Sequence, residues 1–150
     1  MKKLVKTLPV IAAVLGLIAI ISLFLPAIVV GDNEFLGFTT AFGYEKKGVE
    51  YLSFSFMNLL TYLLTIGGTV CAVLTYWKKP NKLFAWISAA CLLIAGVFFF
   101  FMISFASPTA TWKFLGGFEN LAKLGYGAIF AGVCCILASV AMIANKLLEK

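Results

Sequence analysis

GDNEFLGFTTAFGYEKKGVEYLSFSF, the stretch from Gly31 to Phe56, is the one sizeable interruption in an otherwise apolar chain, and it holds four of the six acidic residues: Asp32, Glu34, Glu45 and Glu50. Its alternation reads as an antiparallel hairpin. Lys46-Lys47-Gly48 forms a three-residue loop, with Gly48 at the position that needs a left-handed residue. Pairing outward sets Tyr44 opposite Glu50, Phe42 opposite Leu52, Thr40 opposite Phe54 and Phe38 opposite Phe56. One face then carries Phe38, Phe42, Tyr44, Leu52, Phe54 and Phe56, a candidate interaction or packing face. The other carries Gly37, Thr39, Ala41, Gly43, Ser53 and Ser55, with Val49 and Tyr51 as its larger members.

On either side of this stretch the chain belongs to the membrane. Hydrophobic residues make up 63% of it and charged residues 12%, about half the charge of an average soluble domain. Four runs carry no charge at all: Thr7–Gly31, Tyr51–Trp77, Leu83–Trp112 and Leu124–Asn145. Each exceeds the roughly 20 residues a helix needs to cross the hydrocarbon. None shows the polar interleaving of a soluble amphipathic helix. The expected fold is an all-α membrane protein, a four-transmembrane-helix bundle with a small extracellular antiparallel β-hairpin or sheet in its first outer loop.

As a single domain of residues 1–150, the chain divides into spans at 8–25, 57–77, 83–107 and 125–145. These are joined by outer loops at 31–56 and 108–124 and an inner turn at 78–82. Pro9 suits the first turn of the first helix, and Pro26 disfavours helix in the residue before it. Ile28-Val29-Val30 then reads as a short strand; the alternative is a helix kinked at Pro26 that runs on to residue 30. In the second outer loop, Phe118–Lys123 reads as one or two helical turns pairing Glu119 with Lys123. Trp112, Phe114, Leu115 and Phe118 of that loop are the expected cover for the hairpin's aromatic face. The lysines of Met1–Lys6 look like a signal peptide's, but the apolar run is long and no small-residue cleavage site follows, so a retained helix is expected.

Charge sets the orientation. All twelve basic residues are lysines. The N-terminus, the 78–82 turn and the C-terminal tail hold eight of them against one acid, Glu149. The two remaining loops hold four lysines and five acids. The balance is +7 against −1, so both termini are expected in the cytoplasm of a multi-pass plasma-membrane protein. Trp77 and Trp86 then fall near the inner interface, and Tyr51, Trp112 and Tyr126 near the outer one. Lysines flanking spans are topology signals and lipid contacts, not a nucleic-acid surface.

Chemistry is sparse. The chain has no histidine, which removes the commonest general base and metal ligand. No phosphate-binding loop or zinc spacing occurs. Cys71, Cys91, Cys134 and Cys135 lie within spans, as small packing residues. No catalytic residue, metal site or cofactor is expected. Asn58, Thr61 and Thr65 trace a polar stripe at i, i+3 and i+7 on the second span, suited to interhelical hydrogen bonds or, in an oligomer, to a permeation path. Small residues at Gly67-Gly68, Ala72, Ala128 and Gly132 suit close helix contacts. A non-enzymatic protein acting through lipid or protein contacts is the first expectation, as an accessory, envelope or immunity-type factor. A small oligomeric channel or transporter is the second.

Ile21-Ser22-Leu23-Phe24-Leu25-Pro26 closing the first span and Leu124-Gly125-Tyr126-Gly127 opening the fourth, with the lysine turn between spans two and three, resemble a loose group of small uncharacterised bacterial four-span membrane proteins. The layout is also similar to that of claudin-type tetraspan proteins, which implies four helices, inner termini and strands in a larger first loop. The claudin first-loop pattern of Trp, Gly-Leu-Trp and two cysteines does not occur, so only the architecture carries over.

Overall fold

The computed structural model describes residues 2–77, 82–109 and 121–148. Four helices are long and apolar enough to cross a membrane: α1 (Lys2–Ile21), α3 (Phe56–Trp77), α4 (Lys82–Phe100) and α6 (Tyr126–Leu148). They form a ring in which α1 packs on α3, α3 on α4, α4 on α6, and α6 back on α1. The packing inverts that of a soluble bundle. Small residues point inward, with Ala12, Ala19, Ala72, Ala85, Ala89, Ala95, Ala131 and Ala138 all at 4% exposure or less. Large apolar residues such as Leu17, Val70, Ile94 and Leu137 face outward. This is the arrangement expected of helices in lipid, where nothing drives large side chains inward and small ones let backbones meet.

Close approaches show how. A Cβ at Gly96 or Gly132 would stand 3.1 or 3.2 Å from the other's carbonyl oxygen, and one at Gly16 would collide with the Thr69 side chain. Polar side chains in the core bond to backbone. Ser88 Oγ donates to Gly68 O at 2.8 Å and Ser139 Oγ to Ala89 O at 2.8 Å.

The other described residues build a cap on one end of the ring. The helix α1 tightens into a 3-10 turn (Ser22–Phe24), and Leu25 is extended ahead of Pro26. The chain becomes strand β1 (Pro26–Val30), so the strand reading holds and the kinked helix does not. β1 is the middle of a sheet with β2 (Asn33–Leu36) and β6 (Ala122–Leu124), both antiparallel to it. A second sheet places β4 (Val49–Ser53) between β3 (Tyr44–Lys46) and β5 (Ser107–Pro108). The two sheets share a core of Ile28, Val30, Phe35 and Leu52.

Four expectations change. Gly37–Phe42 is a short helix, α2, not a strand. Its buried residues Gly37, Thr40 and Ala41 follow helical spacing, i, i+3, i+4, which the apparent alternation concealed. Phe38 and Phe42 therefore have no cross-strand partners. The hairpin turn has two residues, Lys47 and Gly48, both at positive φ (54° and 76°) as a type I′ turn requires. Lys46 pairs with Val49, Glu45 with Glu50 and, past a bulge, Tyr44 with Leu52. The third span ends at Phe100; Phe101 turns the chain into α5 (Met102–Phe105), which leads to β5. Lastly, Ala122 and Lys123 lie in a strand, while Trp112, Phe114, Leu115, Phe118 and Glu119 fall outside the described residues.

A fifth expectation changes at Pro9: the helix α1 begins at Lys2, not at residue 8, so Pro9 lies in its interior and not in its first turn. Proline has no N–H, which leaves the carbonyl four residues back, that of Val5, without its helical donor. Asn145 Nδ2 of α6 donates to that carbonyl. Asn145→Leu should lower stability by about 1–3 kcal/mol, the cost of an unsatisfied buried acceptor. Pro9→Ala restores an N–H to Val5 O, and in that background Asn145→Leu should cost little. A double-mutant cycle by thermal melts in detergent reads the coupling, and additive effects would sever the link.

Candidate functional site

The site is built at the cap end of α3. Ser55 precedes the helix in the N-cap position, the place where a serine oxygen takes up a free helical N–H. Its Oγ accepts from Asn58 N at 3.4 Å and donates to Phe105 O at 2.5 Å. Its own N–H donates to Ala41 O at 3.0 Å. One turn on, Asn58 Nδ2 donates to Thr40 O at 3.2 Å and Met102 O at 3.5 Å. Ser55 and Asn58 thus hold the carboxyl-terminal carbonyls of α2 on one side and those of α5 on the other. Asn58 is wholly buried and Ser55 nearly so. A helix end has four carbonyls without intrahelical partners, and two short helices have their ends met here by one serine and one asparagine.

Tyr62, the next turn of α3, packs edge-on against Phe99 with ring centroids 5.3 Å apart. Its hydroxyl occupies the space that a Cβ at Gly37 would need, so α2 starts with a residue that has no side chain. Gly37 N in turn donates to Leu25 O at 3.1 Å. At its other end α2 stops at Gly43, where φ is 97° and a Cβ would stand 2.8 Å from Leu52 O. Two buried side-chain atoms among the described residues lack a partner, Asn58 Oδ1 and the Tyr62 hydroxyl.

The expected aromatic face is divided. Leu52 is buried in the shared core of the sheets. Tyr44 is half-buried and meets Phe35 edge-on at 5.4 Å and Tyr51 at 6.1 Å. Phe38, Phe42 and Phe54 are exposed, at 48%, 50% and 53%. Phe38 and Phe42, four apart on α2, stack with centroids 4.7 Å apart. The polar stripe stays together: Asn58, Thr61 and Thr65 are all fully buried. Thr61 and Thr65 donate to the carbonyls of Met57 and Thr61, four residues back, at 2.9 Å each. Thr65 also faces Cys135 Sγ at 3.9 Å. Ser55 was missed by sequence reasoning, although a serine just ahead of an apolar helical run is a start signal. Phe35 and Met102 carried no such signal.

Asp32, Glu34, Glu45 and Glu50 are exposed. Glu45 and Glu50 stand directly opposite each other across β3 and β4. A groove of about 460 Å³ lined by Leu25, Tyr126, Ile129, Phe130 and Val133 runs down the α1–α6 side. Among the described residues no three His, Cys, Asp or Glu side chains group closely enough to hold a metal ion. Compared with known proteins, the chain matches no family model, no curated protein and no solved structure. The site is therefore read from its own geometry.

Two substitutions separate the roles within the stripe. Asn58→Leu strands Thr40 O in a dry interior and should cost about 1–3 kcal/mol. Thr61→Val removes only a bond to its own helix and should shift the melting temperature in detergent far less. Equal shifts would mean that Asn58 does not join α2 to α3. A third substitution addresses the ribbon: Glu50→Thr relieves a like-charge pair worth about 0.2–1 kcal/mol. Amide exchange at Glu45–Val49 should slow; unchanged exchange would show that the carboxylates do not repel.

Proposed function

We propose that this is a non-enzymatic integral membrane protein that acts through contacts, with the cap displayed on the outer side of the plasma membrane and both termini in the cytoplasm. The observation that carries the reading is the way the cap is tied to the helix ends. Buried hydrogen bonds from Ser55 and Asn58 fix α2 and α5 to the bundle, so the four acids and the exposed phenylalanines stand on a rigid platform. A platform of this kind suits an accessory subunit, an envelope factor or an immunity-type protein, whose partners are membrane lipids and a membrane or extracellular protein. A homo-oligomer is compatible with it.

The orientation follows from the lysine asymmetry. Reporter fusions at Lys47 should read as external and fusions after residue 80 as cytoplasmic; the reverse labelling would overturn it. A channel is the competing reading. The stripe of Asn58, Thr61 and Thr65 weighs against a pore through one protomer, because all three are packed inside the ring. Photo-crosslinkers at Val49 and, as a span control, at Ile94 in native membranes test contact. An adduct specific to Val49 supports the proposal. Its absence, together with solute flux in vesicles that disappears in Asn58→Leu, would replace the proposal with the channel.

A further inference from the structure

We propose that α2 lies in the bilayer interface and seats Phe38 and Phe42 among the acyl chains of the leaflet at the cap end. The inference rests on the membrane reading above, and its test is arranged to fail separately from it.

Three observations carry it. The first is sidedness. Gly37, Thr40 and Ala41 are buried against the bundle, while Phe38 and Phe42 stack on the opposite, exposed side. No charged residue occurs from Leu36 to Tyr44, whereas acids stand before and after it at Glu34 and Glu45. The helix is thus an apolar insertion between two polar ribbons.

The second is depth. The bonds that hold α2 come from Ser55 and Asn58, at the first turn of α3, and its first residue meets the Tyr62 hydroxyl. The 22 residues of α3 span about 33 Å at 1.5 Å each, against about 30 Å of hydrocarbon. The first turn of α3 therefore sits at the hydrocarbon boundary, and α2 lies beside it.

The third is continuity. Phe56, the first residue of α3, is 61% exposed, and Phe24, beside the Leu25 carbonyl that accepts from Gly37 N, is 69% exposed. Exposed phenylalanines thus stand on α2 and on the two segments bonded to it, the turn that ends α1 and the start of α3. Amphipathic helices placed in this way bury their apolar face at the boundary of headgroups and acyl chains. The hairpin's charged tip, by contrast, is built for water.

The test uses the full-length chain in phosphatidylcholine vesicles whose acyl chains are brominated at shallow or deep positions. In a background with Trp77, Trp86 and Trp112 changed to Phe, single reporters are placed by Phe38→Trp, Phe42→Trp, Leu93→Trp on the exposed wall near the middle of α4, and Val49→Trp at the hairpin. Shallow bromines should quench Phe38→Trp and Phe42→Trp severalfold more than deep ones. Deep bromines should quench Leu93→Trp, and Val49→Trp should escape both. Quenching of Leu93→Trp without quenching at either α2 position would overturn the proposal and leave the membrane reading standing, with α2 facing water or a protein. Loss of quenching at Leu93→Trp as well would overturn both. The two α2 positions report one face, so misfolding of one variant leaves the other to decide.

Discussion

The cap depends on two polar side chains at the start of one helix. Two short helices, α2 and α5, end against α3 with the carbonyls of Thr40, Ala41 and Phe105 turned into a place from which water is excluded. Ser55 and Asn58 meet those carbonyls from the middle. An isolated helix of four to six residues does not persist, so neither α2 nor α5 has an existence apart from this junction. The sheets then follow. β3 starts where α2 stops at Gly43, and β5 starts where α5 stops, so each strand's position is inherited from a helix that α3 holds.

The ring of four long helices rests on a different packing principle. Its interior is mostly alanine, glycine, serine, threonine and cysteine, with a few large side chains such as Tyr62, Leu92, Phe99 and Met142, and its exterior is rich in leucine, isoleucine, valine and phenylalanine. Close backbone approach at Gly96 and Gly132 replaces the hydrophobic burial that organises a soluble core. Threonines at 61, 65 and 69 bond to their own helix, which allows a polar residue to sit in the packed interior without a partner on another helix. The stripe is therefore mostly self-contained. Asn58 is its one member whose side chain reaches other segments of backbone.

Much of this was legible in the sequence, and the failures have physical causes. Charge-free runs located all four helices, because in hydrocarbon length and apolarity alone decide. Pro26 marked the change from helix to strand. The hairpin was found but its register was not, because Lys47 takes a left-handed conformation that a sequence reading assigns to glycine or asparagine. Gly37–Phe42 satisfied strand and helix patterns together, and the choice was made by Tyr62 and Asn58, which lie about twenty residues away. The break at Phe101 had no proline or glycine to announce it. Its cause is again distant, in the bonds that Ser55 and Asn58 make to α5. Within the expected aromatic face, Leu52 turned inward from a strand while Phe38 and Phe42 turned outward, because Gly37–Phe42 is a helix and not the opposing strand.

The bond from Asn145 to the carbonyl that Pro9 leaves open has a consequence for biogenesis. It joins residue 5 to residue 145, and β1 likewise pairs with a strand from near residue 123. Of the other spans, only α3 can meet α1 before the final thirty residues have been made. If the ring lies in a bilayer as proposed, the first helix waits there during synthesis with one face and one carbonyl unmatched until α6 is made. Ring closure is the last event, not a gradual one. A chain cut short after α4 would lack both the wall that covers α1 and the third strand of the sheet centred on β1, and the ring would stand open.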